Sequence, residues 1–266
     1  MITDLKINAE RKRFYYEKGY WTEKSIGDAW ADRIASHPER TYVTDDQGYT
    51  CGEVDDRAGR LAAWLIEEGI EPGDVVTFQL PIWAEFCIVY VACLKCGAVM
   101  HPVPPNFNDE DLVYNMNKVG SRAFICPTAF HRCDFVKQAY AVKDRIPTLA
   151  SIAFVDKQAP APEGAPSLSS ICAAYEPVTE RPAVSSDDVA CILSTSGTTG
   201  RQKAVLFTHN NILFSERSFV KGLGRTADDV MFMPSPLNHA TGFYHGLISP
   251  MILGGRTVLQ QHFDAA

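Results

Sequence analysis

Apolar positions recur along this chain at two alternating periods. Ile26, Trp30 and Ile34 are spaced for one helix face behind a Ser25/Asp28 start. Val54, Ala58, Leu61 and Leu65 mark a second helix, opened by Thr50 with Glu53 three residues on and ended by Gly69. The compact run DVVTFQL (74–80) has the length of a buried strand. Next the pattern predicts a helix over Ala84–Cys96 closed by Gly97, a strand through Val99–Val103 and a helix over 108–118 behind Asn108. A strand over 122–126, a helix over 131–143 and a strand over 151–155 follow. Further on, strands are predicted at 189–195, 203–208, 229–233 and 256–260, with helices from His209 to Val220 and over 242–253. Strands alternating with helices at this spacing imply an α/β fold of layered βαβ subdomains, with mostly parallel sheets covered by helices.

The pattern lapses between Asp156 and Asp188, where Pro, Ala, Ser and acidic residues dominate. That stretch reads as a linker or long surface excursion. It divides the chain into a first α/β portion, 1–186, and the start of a second, 187–266.

Composition narrows the function classes. The 266 residues are 46% hydrophobic and 21% charged, enough to bury a substantial core. A formal charge of −7 argues against a surface built for nucleic acid, though a local basic site for a small anion is compatible with it. The N-terminal stretch carries charges throughout, unlike a secretory signal, and no apolar run approaches the ~20 residues of a membrane span. Eight cysteines without a signal peptide read as buried small hydrophobes in a reducing compartment, so the expected location is the cytoplasm.

Chemistry concentrates in LSTSGTTGRQKAV (193–205). Every residue from Ser194 to Gly200 is Ser, Thr or Gly, and Arg201 and Lys203 follow. Glycines between two predicted strands let backbone N–H groups turn toward an anion. The hydroxyls add donors, and a lysine is a good point-charge partner for phosphate. Such donors suit the outer phosphates of a nucleoside triphosphate. The loop is not a Walker A motif, because GTTGRQK has its glycines three apart and a strand, not a helix, follows the lysine.

ILSTSGTTGRQK (192–203) resembles the signature of the adenylate-forming superfamily of acyl-CoA synthetases, aryl-acid AMP ligases, luciferases and peptide-synthetase adenylation domains. One departure stands out: Gln202 occupies the place where the family usually has Pro, which implies a looser turn. THNN (208–211), YTCGEVDDRAGRLAAWLIEEGIEPGDVVTFQLP (49–81), CLKCGAVMHPVPP (93–105) and MPSPLNHATGFYHG (233–246) are also similar to family segments. The resemblance runs from about residue 20 to the C-terminus.

The resemblance implies that a carboxylate attacks the α-phosphate of Mg-ATP, and that a thiol of coenzyme A or a carrier protein then displaces AMP. It implies that Thr195, Ser196, Gly197, Thr198, Thr199, Gly200 and Lys203 hold ATP, with Lys203 and Thr198 taking part in catalysis. His239 would border the acid pocket with Thr241, Gly242 and Phe243; the alternative for His239 is a structural role at a helix start, and nothing in the sequence makes it a general base. Mg2+ and coenzyme A are the further implied cofactors, and no residue is assigned to a protein-held metal. The expected activity is that of a carboxylic acid:CoA ligase. An aryl-acid AMP ligase loading a carrier protein and a non-catalytic nucleotide-binding module are the alternatives.

Other features point elsewhere only weakly. Cys93 and Cys96 form a CxxC without a second pair or a suitably spaced His, so they read as packing residues. His239 and His245 lack metalloprotease spacing, and the paired aspartates at 45–46, 55–56 and 187–188 sit near turns or helix starts. KINAERKR reads as an exposed face. The family's adenine, ribose and late catalytic lysine contacts match nothing here, so the chain is expected to be an N-terminal fragment. As such it would be poorly active alone and prone to self-association, with a homodimer as one form.

Overall fold

The computed structural model describes residues 5, 7–195 and 202–261. Helix α1 (Ala9–Glu17) starts on Asn8 and buries none of its residues. Helix α2 (Ile26–Ser36) carries the Ser25/Asp28 capping box and buries Ile26 and Trp30. Strands β1 (Thr41–Thr44) and β2 (Gly48–Thr50) make a short antiparallel pair. Helix α3 (Cys51–Glu67) starts on the Thr50/Glu53 box, and Gly69 turns the chain at φ 81°.

Strand β3 (Val75–Phe78) leads to α4 (Ala84–Cys96), every residue of which is buried; Gly97 closes it in the left-handed region. A helix apolar on all sides has to lie inside the protein. Strand β4 (Val99–Pro102), α5 (Asp109–Val119) and β5 (Ser121–Pro127) follow. The helix expected over 131–143 begins only at α6 (Phe135–Lys143). Ahead of it lies a tight hairpin of β6 (Ala129–Phe130) and β7 (Cys133–Asp134), with His131 between them at φ 54°. Strand β8 (Ser151–Val155) is followed by α7 (Leu168–Ala174), a short helix inside the stretch read as linker.

Strands β9 (Val189–Thr195) and β10 (Lys203–Thr208) form an antiparallel hairpin that runs into α8 (His209–Gly222). After β11 (Val230–Met233), the segment expected to be one α-helix over 242–253 is a π-helix, Thr241–Ile248, continued by α9 (Ser249–Leu253); β12 (Arg256–Leu259) comes last.

Two main sheets result. The six-stranded sheet has the order β10-β9-β4-β3-β5-β8, parallel except for the β9–β10 hairpin. The four-stranded sheet has the order β11-β12-β1-β2, parallel except for β1–β2. Both sheets draw strands from either side of residue 186. Side-chain alternation along the strands sets the layers. On β5, Ala123 and Ile125 join the core shared with α3, α4 and the smaller sheet, whereas Phe124 and Cys126 face the core under α5 and α6. These layers are the mostly parallel, helix-covered α/β sheets that the alternating pattern implies.

Histidine burial ties the fold to pH. His209 is 5% exposed, and its Nδ1 accepts the Ile26 N–H at 3.2 Å, which requires a neutral ring. Burial pushes its pKa down to about 4. An unfolded histidine titrates near ~6.5, so as pH falls below that value the unfolded chain takes up a proton that the folded chain refuses. The stability present above pH ~6.5 is therefore lost at roughly 1.4 kcal/mol per pH unit down to the folded value. In His209→Asn, whose Oδ1 can accept the same N–H, urea unfolding between pH 6.5 and 5 is expected to show a slope shallower by about that amount. An unchanged slope would remove His209 from the acid response.

Candidate functional site

The Ser/Thr/Gly loop is carried by a hairpin, as its apolar flanks suggest. β9 and β10 pair in strict register from Thr195↔Lys203 to Phe207↔Cys191, so Thr195 and Lys203 face each other at the mouth. Ser196, Gly197, Thr198, Thr199, Gly200 and Arg201 lie outside the described residues. Because β4 and β9 run parallel, the loop leaves from the carboxyl edge of the sheet. That edge is where open α/β sheets bind ligands.

Helix α5 braces both shoulders of the hairpin. Asn115, buried against the sheet, accepts a hydrogen bond from Ser194 Oγ at 3.3 Å. One turn later, Lys118 Nζ donates to the Gln202 carbonyl at 3.0 Å. Residues three apart on a helix share a face, so one surface of α5 serves both contacts. Beside this brace opens a cavity of about 1300 Å³, whose lining includes Thr195, Lys203, Lys118, Arg122 and Asn117. Its cations suit an anionic ligand, and Lys203 is exposed.

The strand behind the loop is tied to the N-terminal region. Thr208 caps α8 with a Thr208/Asn211 box. Asn210 accepts the Thr22 N–H at 3.0 Å, and its NH2 group, with two protons to share, lies 3.0 Å from each of Tyr16 Oη, Ser186 Oγ and Asp187 Oδ1. The THNN segment therefore works as a structural junction: Thr208 and Asn211 start the helix, and His209 and Asn210 hold the chain before α2.

The second candidate segment, 239–243, opens the π-helix. His239 and Thr241 are exposed, and Gly242 and Phe243 are buried. His239 N–H donates to the Pro236 carbonyl at 3.2 Å, and its own carbonyl accepts from Phe243 N–H at 2.9 Å. Gly242 is required by packing, since a Cβ there would lie 2.1 Å from the Pro236 carbonyl oxygen. Phe243 packs edge-on to Tyr90 of α4, with ring centroids 5.0 Å apart. The two candidate groups are joined through Phe207 of β10 and Tyr244 of the π-helix, 5.7 Å apart and nearly perpendicular. Phe207 lies four residues beyond Lys203 on one strand face, a distance of about 13 Å.

Asn115, Lys118 and Tyr244 escaped the sequence reading. Each acts through a partner remote in sequence; Asn115 and Lys118 belong to no local motif, and Tyr244, although inside the 233–246 segment, shows its role only through its contact with Phe207. Cys93 and Cys96 lie buried within α4, where desolvation pushes the Cys96 thiol up to about 12.

Comparison with known proteins adds to this geometry. The sequence profile of the family described as AMP-binding enzyme matches residues 30–266. The medium-chain fatty-acid–CoA ligase of Escherichia coli (strain K12) is 40% identical over 265 residues, covering 99% of this chain and 47% of that relative. The 2,3-dihydroxybenzoate-AMP ligase of Bacillus subtilis (strain 168) is 30% identical over 247 residues, covering 92% of this chain and 44% of the relative. The apo structure of Mycobacterium smegmatis MbtA superposes with a TM-score of 0.86 at 26% identity, covering 97% of this chain and 48% of that one. The chain thus spans just under half the length of these relatives. No helix among the described residues is long and apolar enough to cross a membrane. By the extent of the profile match, the chain belongs to the AMP-binding enzyme family.

Proposed function

We propose that this chain is the phosphate- and acid-binding part of an ATP-dependent carboxylic acid:CoA ligase. The observation that carries the reading is the register pairing of Thr195 with Lys203, which puts a hydroxyl and an ammonium at the mouth of the Ser/Thr/Gly loop. The 40% identity to a fatty-acid–CoA ligase supports a CoA-type acceptor.

In the first step a carboxylate oxygen attacks the α-phosphorus of ATP; the bond to the bridging oxygen breaks and pyrophosphate leaves with that electron pair. Negative charge builds on the departing oxygens, where Lys203 and the loop hydroxyls, Thr198 among them, donate. In the second step a thiol sulfur attacks the acyl carbonyl carbon, and AMP leaves with the pair of the broken acyl–oxygen bond. His239 and Thr241 would border the acid. Among the described residues no group of three or more His, Cys, Asp or Glu could hold a metal. A Mg2+ ion would travel with the triphosphate and would supply charge neutralisation at its oxygens.

The acceptor is tested with the longest gene product that carries this chain. ATP and a carboxylic acid panel are supplied with either coenzyme A or a phosphopantetheinyl carrier protein, and AMP release is followed. Release dependent on coenzyme A is expected. Release only with the carrier protein would favour the aryl-acid AMP ligase reading, and release with neither would leave nucleotide binding alone.

A further inference from the structure

The π-helix is held in place by a buried carboxylate that neither candidate segment uses. Glu216 of α8 is fully shielded from solvent. Its Oε2 accepts from Ser249 Oγ at 2.5 Å and meets His245 Nδ1 at 2.9 Å. Nδ1 is placed to donate to this carboxylate oxygen. The His245 ring also stacks on Phe219, with centroids 3.9 Å and planes 17° apart. Phe219 lies three residues beyond Glu216, so a single face of α8 grips the imidazole by its edge and its plane.

His245 sits in the π-helix and Ser249 is the first residue of α9, so the two donors straddle the point where the wide turn reverts to an ordinary one. A π-turn is uncommon and needs tertiary contacts to persist. A buried carboxylate needs partners as much, so each feature stabilises the other. The same turn brings Gly242 against the Pro236 carbonyl and Phe243 against Tyr90, next to His239 and Thr241. Helix α8 follows directly on β10, whose first residue is Lys203.

We infer that Glu216 and His245 are positioning residues: they fix the register of the π-helix, and with it the placing of His239 and Thr241, and so set which acids the enzyme accepts. The inference rests on the acid-ligase reading above. Its test compares His245→Phe, which keeps the stacking and loses the hydrogen bond, with His245→Gln, which keeps a donor. The kcat/KM of acid-dependent pyrophosphate exchange is measured over straight-chain acids of increasing length and benzoate. His245→Phe is expected to change the ratio between the best and a longer acid by about fivefold or more, with the KM for ATP held within about twofold. His245→Gln is expected to restore the wild-type ratio. Amide hydrogen exchange at Tyr244–Ser249 is expected to speed up about tenfold in His245→Phe and not in His245→Gln.

An unchanged acid ratio in a His245→Phe protein that is merely less stable would overturn the selectivity role. Unchanged amide exchange would overturn the register lock. A wild-type protein that activates no acid overturns the acid-ligase reading and the selectivity role with it, while amide exchange still decides the lock.

Discussion

Replacing Lys203 by alanine is expected to slow acid-dependent ATP–pyrophosphate exchange more than tenfold while the protein stays folded. Lys203 is exposed on the first residue of β10, so its side chain contributes little to packing. Its backbone pairing with Thr195 survives truncation at Cβ. What is lost is a positive charge at the loop mouth, on the wall of the large cavity. A charge-assisted hydrogen bond that strengthens as pyrophosphate departs is worth more than ~1.4 kcal/mol in the transition state, the equivalent of a factor of ten. Removal of a single oxyanion donor has a typical cost of about a hundredfold or more. Lys203→Arg keeps the charge in a different shape and is expected to recover part of the rate. Exchange by Lys203→Ala at the wild-type rate would remove this lysine from the chemistry.

The largest expected stability effect lies away from the loop. Lys157 Nζ sits 2.6 Å from Asp45 Oδ2 and 3.2 Å from Glu85 Oε2, with both carboxylates almost wholly buried. Its ammonium also lies 5.6 Å from the centre of the Trp83 ring. Asp45 Oδ2 has a second task, accepting the Ala84 N–H at the start of α4 at 2.8 Å. Burial raises the Glu85 pKa against the pull of Lys157. For Lys157, burial works against the charge, and the hydrogen bond to Asp45 together with nearby Glu85 more than offsets it.

Lys157→Met keeps most of the aliphatic stem and leaves two carboxylates buried without their cation. Breaking a buried pair in this way costs about 3–5 kcal/mol. In a chain of this size that is a fall in Tm on the order of 10 °C. The loss should shrink in mild acid, where the raised pKa lets Glu85 take a proton and one of the stranded charges disappears. A Tm within about 2 °C of wild type, by calorimetry at pH 7, would show that the pair contributes little.

What could be read from sequence follows what is local. The capping residues of α2, α3 and α5 announce themselves within a few positions, and α4 is legible because an unbroken apolar run bounded by Gly97 has few other solutions. Helix α1 was invisible because it buries nothing and has no apolar stripe. Helix α7 is a seven-residue element started by a Ser167/Ser170 box, a weaker signal than Ser or Thr with Glu, inside a Pro- and Ala-rich stretch. The π-helix reads as an ordinary helix because its apolar residues are continuous. Only the approach of Pro236 to Gly242 and the pull of Glu216 on His245 and Ser249 show why the turn widens. The Ser/Thr/Gly loop was legible as an anion-binding candidate from its composition. Its brace was not, because Asn115 and Lys118 reach Ser194 and Gln202 across 79 and 84 residues of chain.

The most direct test of the acid-ligase reading is ATP–pyrophosphate exchange by the longest gene product that carries this chain, with a panel of carboxylic acids and no thiol. Exchange that depends on one class of acid is the expected result, because the first step needs only the acid, ATP and Mg2+. No exchange with any acid, from a folded protein that still binds ATP, would contradict the reading and leave a nucleotide-binding module in its place.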